Sequence, residues 1–232
     1  MPMFKQANRN LLHDEVINAI IEGIVSGKLR SGDRIIEQKI ATDMDISRGP
    51  VREAIRELVN QGVLHFRPHR GAVIAPIEVR NVQELFLLRS RLEGLSANLA
   101  TDILTQKDLD FLEDLCKNME NAILENDPIA YVENDLHFHD VIVKRSDNGR
   151  LIRMMEGIQL QNRLLMYMTK WYMVAHKQLS LERCAHRPIL EVFYARDSAM
   201  AEQNMREHII SAGDVLVEFI KNSNMMLGTG ST

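Results

Sequence analysis

Ser47-Arg48-Gly49-Pro50-Val51-Arg52-Glu53-Ala54 decides how the first third of this chain folds. The octapeptide reads as the start of a short helix. Ser47 is the expected N-cap, where a hydroxyl accepts from a backbone N–H that has no partner inside the helix. Pro50 falls in the first turn, where a missing N–H is harmless. Arg48, Arg52 and Arg56 recur every four residues on one face, while Val51, Ile55, Leu58 and Val59 lie on the other. A helix that is basic along one edge and apolar along the opposite one suits the major groove of double-stranded DNA. A surface helix with solvated arginines would show the same pattern, so the flanks must decide.

Upstream, Leu12, Val16, Ile20, Ile21, Ile24 and Val25 form a helical apolar stripe that stops at Gly27. Arg30-Ser31-Gly32-Asp33 is turn chemistry. Ile36, Ile40, Ala41 and Met44 mark a second, shorter helix, joined tightly to the arginine helix. Downstream, Val63-Leu64-His65-Phe66 and Ala72-Val73-Ile74-Ala75 are short strands about the turn Arg67-Pro68-His69-Arg70-Gly71. Three helices followed by a basic-tipped hairpin predict a winged helix-turn-helix.

The run Gly32-Asp33-Arg34, Glu37, Ile40-Ala41, Ile46 to Ala54, Gly62 and Arg70-Gly71 resembles the DNA-binding domain of the GntR family of bacterial transcriptional regulators. In that family the arginines matching Arg48 and Arg52 contact operator bases and phosphates, and the wing tip matching Arg70-Gly71 enters the minor groove. The resemblance thus implies a DNA-contacting set of Arg34, Ser47, Arg48, Gly49, Pro50, Arg52, Arg56, Arg70 and Gly71. Two positions depart from the pattern. Gln38 stands where some members carry an arginine, and Gly49 where a threonine is common; both bear on operator preference.

Charge is distributed accordingly. The whole chain is at −4, but residues 1–76 hold 11 Lys and Arg against 9 Asp and Glu, a net of +2. Residues 77–232 hold 17 against 23, a net of −6. Between 47 and 71 five arginines face two glutamates, so the positive field is local to the reading surface. Two cysteines, Cys116 and Cys184, and no secretory leader fit a reducing cytoplasm. No apolar run is long enough to span a membrane.

From Pro76 onward the apolar period is helical. Leu85, Leu88, Leu92, Leu95 and Leu99 predict the buried stripe of a first long helix. Thr105 caps a second, Asp127-Pro128 opens a third running to about Lys144, and Asn148-Gly149 precedes a fourth from Arg150 to Met173. A fifth is expected from about Leu179 to Ala195, and a sixth from Asp197 to Asn222. The fold class expected is mostly α: residues 1–76 a winged helix-turn-helix, 77–222 an all-α antiparallel bundle of six or seven helices, and 223–232 a flexible tail. Thirteen methionines suit a soft bundle interior.

Four polar side chains stand out in that bundle. Asp135 and His139 share one helical face beside Val132, Leu136, Ile142 and Val143; His186 and His208 are flanked by apolar residues on the fifth and sixth helices. Imidazole and carboxylate suit zinc, nickel, manganese or iron. Taken singly, each histidine also fits an ordinary core or surface position, the reading given to His13, His65, His69, His137 and His176. Leu88-Arg89, Leu92-Glu93, Asn134-Asp135, Phe138-His139, His186-Arg187, Ile189-Leu190 and Asp197 through His208 resemble the FCD effector-binding domain of the FadR subgroup. That resemblance implies a divalent metal, zinc foremost, held by Asp135, His139, His186 and His208. It also implies an organic-acid effector met by Arg89, whose alternative is a surface pair with Glu93.

The function expected is a cytoplasmic homodimer bound to a pseudo-palindromic operator with half-sites roughly 34 Å apart, or at a different fixed spacing if the wing tips set it. It would act as a repressor released by a small carboxylate. The alternatives are a regulator for which the ion itself is the signal, and a metal-dependent hydrolase on the Asp/His site, for which no general base is apparent.

Overall fold

The computed structural model describes residues 9–25, 28–76, 78–175 and 186–226. They form two compact units that divide between Pro76 and Ile77. In the first, α1 (Arg9–Val25), α2 (Glu37–Asp43) and α3 (Arg48–Asn60) precede a hairpin of β1 (Leu64–Arg67) and β2 (Gly71–Ile74). Val16, Ile20, Ile21 and Ile24 of α1 are buried with Val51, Ala54, Ile55 and Leu58 of α3, so the arginine edge of α3 is left outward. Each such aliphatic contributes about 1.5–3 kcal/mol relative to exposure. The apolar seam is what aims the arginines.

The hairpin is antiparallel, with Leu64 opposite Ile74 and Arg67 opposite Gly71. Residues 33–35 add a short third rung: Ile35 N–H donates to the Ala72 carbonyl at 2.9 Å, and Ile74 N–H to the Asp33 carbonyl at 3.0 Å. His69 and Gly71 adopt φ of 62° and 75° in the wing turn. Glycine takes that conformation without the Cβ penalty, which accounts for Gly71 at the foot of the wing.

Ser47 occupies the N-cap position of α3, with φ −70° and ψ 156°, but its side chain makes no capping hydrogen bond. This corrects the expectation from sequence. A capping hydroxyl accepts from the second or third helical amide, and the third helical residue here is Pro50, which has none.

The second unit contains six helices among the described residues: α4 (Val79–Thr101), α5 (Gln106–Glu125), α6 (Pro128–Arg145), α7 (Gly149–Ala175), α8 (Arg187–Tyr194) and α9 (Ser198–Met226). Side-chain caps set several starts. Thr105 and Asp108 form a capping box on α5, Asp127 accepts from the amides of Ile129 and Ala130 ahead of α6, and Asn148 accepts from those of Arg150 and Leu151 on α7. Asp197 accepts from the Met200 amide to open α9. Asn126, at φ 54°, lets α5 turn directly into α6. Helices α4 and α9 run antiparallel in close contact. A Cβ at Gly213 would lie 2.8 Å from Phe86 Cβ, so glycine is what permits this approach.

Three boundaries or faces differ from expectation. Of the leucine stripe of α4 only Leu85 is buried: Leu88 and Leu95 are exposed and Leu92 and Leu99 half-buried. The buried face instead carries Val82, Phe86, Arg89, Glu93, Ala97 and Ala100, because a buried ion pair replaces apolar residues at its centre. The expected fifth helix is described only as α8; residues 176–185, with His176, Leu179 and Cys184, lie outside the described residues. His186 is the N-cap of α8 rather than an interior residue, since Pro188 suits the first turn. Finally, α9 continues to Met226, into the segment expected as tail, because no glycine or proline lies between Asn222 and Gly228.

Candidate metal centre and nucleic-acid interface

Helix α6 presents Asp135 and His139 one turn apart, and both are buried. The start of α8 supplies His186, which is 2% exposed, and α9 supplies His208. One ligand atom from each of the four lies within 4.8 Å of every other. Donors around a single ion at roughly 2.1 Å are separated by about 3–4.2 Å, so sub-ångström adjustment closes the set on a metal. Asp135 faces two of the rings: its Oδ1 lies 3.2 Å from His186 Nε2 and its Oδ2 3.9 Å from His139 Nε2. The His186 and His208 ring centroids are 4.3 Å apart, and His139 stacks on His208 at 5.3 Å. Phe138 abuts His186 edge-on at 4.8 Å and walls the cluster on that side.

Behind the cluster lies a residue that the sequence offered only as half of a surface pair. Glu93, on the buried face of α4, places Oε2 2.6 Å from His139 Nδ1 and accepts from Arg89 Nε through Oε1 at 2.7 Å. Arg89 and Glu93 are 2% and 1% exposed, so the pair considered as a surface alternative is a core element. Burial pushes the Glu93 carboxyl up, but the Arg89 guanidinium and the His139 ring outweigh it and hold it at about 2. Arg89 stacks its guanidinium carbon 4.9 Å from the Phe86 ring centroid. Its Nη1 is buried and has no hydrogen-bond partner among the described residues. Arg89, Glu93 and His139 line a cavity of about 200 Å³ with Asn162 and an apolar wall that includes Leu136 and Val143. The buried Oδ1 of Asn162 is likewise unpartnered.

Arg187, beside His186, pins the start of α8 to α5. Its Nε and Nη2 donate to Glu120 at 2.7 and 2.9 Å, and its Nη1 donates to Glu113 at 2.8 Å. Hydrogen bonds from this guanidinium hold both carboxyls below their ordinary range. No periodicity in the sequence announces this fork.

In the first unit, Arg34, Ser47, Arg48, Arg52, Arg56 and Arg70 are exposed, and Gly49 and Gly71 half-buried. Pro50 is buried, so its side chain shapes the helix start instead of facing outward. Arg34 lies beside the wing, its Nε 4.0 Å from where a Gly71 Cβ would stand. Arg48 Nη2 is held 3.2 Å from Glu37 Oε2 of α2. Among the described residues Arg34, Arg52, Arg56 and Arg70 have no such carboxylate partner, which leaves four guanidinium groups open to phosphate or base edges. No helix among the described residues is long and apolar enough to cross a membrane.

Comparison with known proteins agrees with this layout. Residues 12–74 match the family described as bacterial regulatory proteins, gntR family, and residues 84–211 match the FCD domain, more than half of the chain. The "Probable D-xylose utilization operon transcriptional repressor" of Paenarthrobacter nicotinovorans is 27% identical over 207 residues, covering 88% of each chain. The HTH-type transcriptional regulator LutR of Bacillus subtilis is 26% identical over 218 residues, covering 86% of this chain and 99% of LutR. In fold, the chain is similar to McbR/YncC of E. coli, with a TM-score of 0.73, 24% identity, and coverage of 90% and 98%. These families comprise transcriptional regulators rather than enzymes, which sets the hydrolase alternative aside. The chain therefore belongs to the GntR family, as a DNA-binding transcriptional regulator whose second domain is an FCD domain.

Proposed function

We propose that this regulator is a cytoplasmic homodimeric repressor whose grip on a pseudo-palindromic operator is set by a small carboxylate bound beside a divalent ion in the FCD domain. One observation carries the reading: four donors converge within 4.8 Å beside a buried arginine that has a donor to spare. Asp135, His139, His186 and His208 would hold the ion, zinc by preference for imidazole and carboxylate, with nickel, manganese and iron accepted by the same set. When bound, it supplies a Lewis-acidic open position for an oxygen ligand. Arg89 Nη1 and Asn162 bind the rest of the effector in the adjoining cavity.

Charge balance narrows the effector class. With neutral imidazoles, a divalent ion and Arg89 stand against Asp135 and Glu93, leaving one net positive charge in a buried chamber. A single carboxylate cancels it, whereas a second would be buried uncompensated. At the mouth, Lys144 and Asp140 are paired at 2.6 Å and cancel, while the exposed Glu156 adds a solvent-screened negative charge that further disfavours a second carboxylate.

On the DNA side, Arg34, Ser47, Arg48, Gly49, Arg52 and Arg56 would face the major groove and its phosphates, with Pro50 setting the helix start and Arg70-Gly71 reaching the minor groove. Two copies double a small set of contacts. The exposed Leu87, Leu88, Leu95 and Ile210 supply apolar surface for self-association. The relative named a transcriptional repressor supports the sign of regulation.

The test is a melting series on the full chain with acetate, lactate or malonate, each with zinc and with chelator, followed by gel shifts on a duplex selected from random sequence. Monocarboxylates should raise the melting temperature only with zinc, and should weaken the shifted complex. A response to buffered zinc alone, with carboxylates inert, would mark the ion itself as the signal. No bound metal and no zinc-dependent shift would defeat the reading.

A further inference from the structure

We infer that Glu93 is the positioning residue through which an anion at Arg89 and a metal ion at the Asp135 cluster sense each other; this rests on the metal reading above. Its two oxygens are divided between two groups with different tasks. Oε1 accepts from Arg89 Nε at 2.7 Å, and Oε2 lies 2.6 Å from His139 Nδ1. The ring is not aligned for a hydrogen bond to that oxygen, but a carboxylate so close favours the tautomer of His139 that carries its proton on Nδ1. Its Nε2 lone pair is then left toward Asp135, His186 and His208. Carboxylates in this position orient a ligating imidazole and strengthen it as a donor. Glu93 is 1% exposed, so water does not share the task.

Arg89 occupies the other half. Its Nε is committed to Glu93, while its Nη1 is buried without a partner among the described residues, on a side chain that lines the cavity. An anion seated at Nη1 draws guanidinium charge away from Glu93. Oε2 then becomes the stronger acceptor for the His139 N–H, and Nε2 the stronger donor to an ion. The sign of the coupling is therefore positive: carboxylate tightens metal, and by thermodynamic linkage metal tightens carboxylate by the same factor. Neither partner needs to move far, because one buried carboxylate touches both.

The experiment is a zinc titration of the full chain against a chromophoric chelator, for wild type and Glu93→Gln, with and without acetate as the anion. Wild type should bind zinc at least about fivefold more tightly with acetate, the lower end of ordinary coupling. Glu93→Gln, whose amide cannot accept from both neighbours, should bind zinc about 10–100-fold more weakly and lose most of the acetate effect. Zinc affinity within threefold of wild type, or an undiminished acetate effect, overturns the proposal. A wild type that binds no zinc defeats the metal reading instead. Long-range proton–nitrogen NMR of zinc-loaded wild type needs no variant: His139 protonated at Nδ1 supports the assignment, and protonation at Nε2 refutes it.

Discussion

Arg89→Met offers the most direct test of the buried ion pair. Arg89 and Glu93 are 2% and 1% exposed, so removing the guanidinium leaves a carboxylate in the bundle interior with His139 as its remaining close partner. Breaking such a pair costs about 3–5 kcal/mol. The retained contact to His139 argues for the lower end, about 3 kcal/mol. At roughly 2–4 °C per kcal/mol for a unit of this size, the melting temperature should fall by about 6–12 °C. Removing both charges together, in Arg89→Met with Glu93→Gln, leaves no orphaned ion and should recover most of the loss. Calorimetry of the full chain in chelator, following the helical unit's transition, measures the cycle. The acid side adds a check of sign. The native Glu93 carboxyl is held at about 2, so its stabilisation is present above the ordinary carboxylate range and is lost as pH falls toward that value. The gap between wild type and Arg89→Met should therefore narrow below about pH 4. A single variant within 1 kcal/mol of wild type, or a double variant no more stable than the single one, would refute the reasoning.

Other outcomes follow from the same structure. Arg52→Ala should weaken operator binding by about 1–3 kcal/mol if it reads a base, measured by gel shift at fixed salt; unchanged affinity removes it from the reading set. Asp108 is buried, which raises its carboxyl, yet hydrogen bonds from Thr105 and Arg145 prevail and hold it low. Its contribution should therefore be present above the ordinary carboxylate range and fade as pH falls through it. Asp108→Asn should lose about 1 kcal/mol of stability at neutral pH and flatten that acid-side slope. Burial pushes the Cys116 thiol up to about 12. In a Cys184→Ser background, folded protein should resist a thiol reagent at pH 8 and react once unfolded; rapid native labelling would contradict this.

The parts legible in the sequence were those governed by local chemistry. Thr105, Asp127 and Asp197 cap the helices their positions announced, and the alternation of arginines with Val51, Ile55 and Leu58 gave the orientation of α3. Asp135 and His139 were legible as a pair because four residues make one helical turn. What stayed hidden depended on partners distant in the chain. Glu93 looked like the outer half of a surface pair, because a run of leucines on α4 imitates a core stripe. Its true surroundings come from His139, on another helix. The Arg187 fork joins residues from α5 to the start of α8, and no spacing rule links them. Ser47 shows the converse: a residue of the right type at the right position, with one of the two amides it could cap removed by Pro50 and no bond made to the other, that of Gly49.

The Arg48–Glu37 contact bears on how tightly salt controls operator binding. A guanidinium that already carries a carboxylate counter-charge must exchange it for phosphate instead of simply adding a positive charge to the backbone. Each phosphate neutralised by a free cation steepens the fall of log K with log salt by about 0.9. Arg48 should contribute less than that increment, while Arg52, Arg56 and Arg70 can contribute it in full. Glu37→Gln should then tighten nonspecific association and steepen its ionic-strength dependence, the outcome expected if the glutamate restrains indiscriminate electrostatic adhesion to the genome.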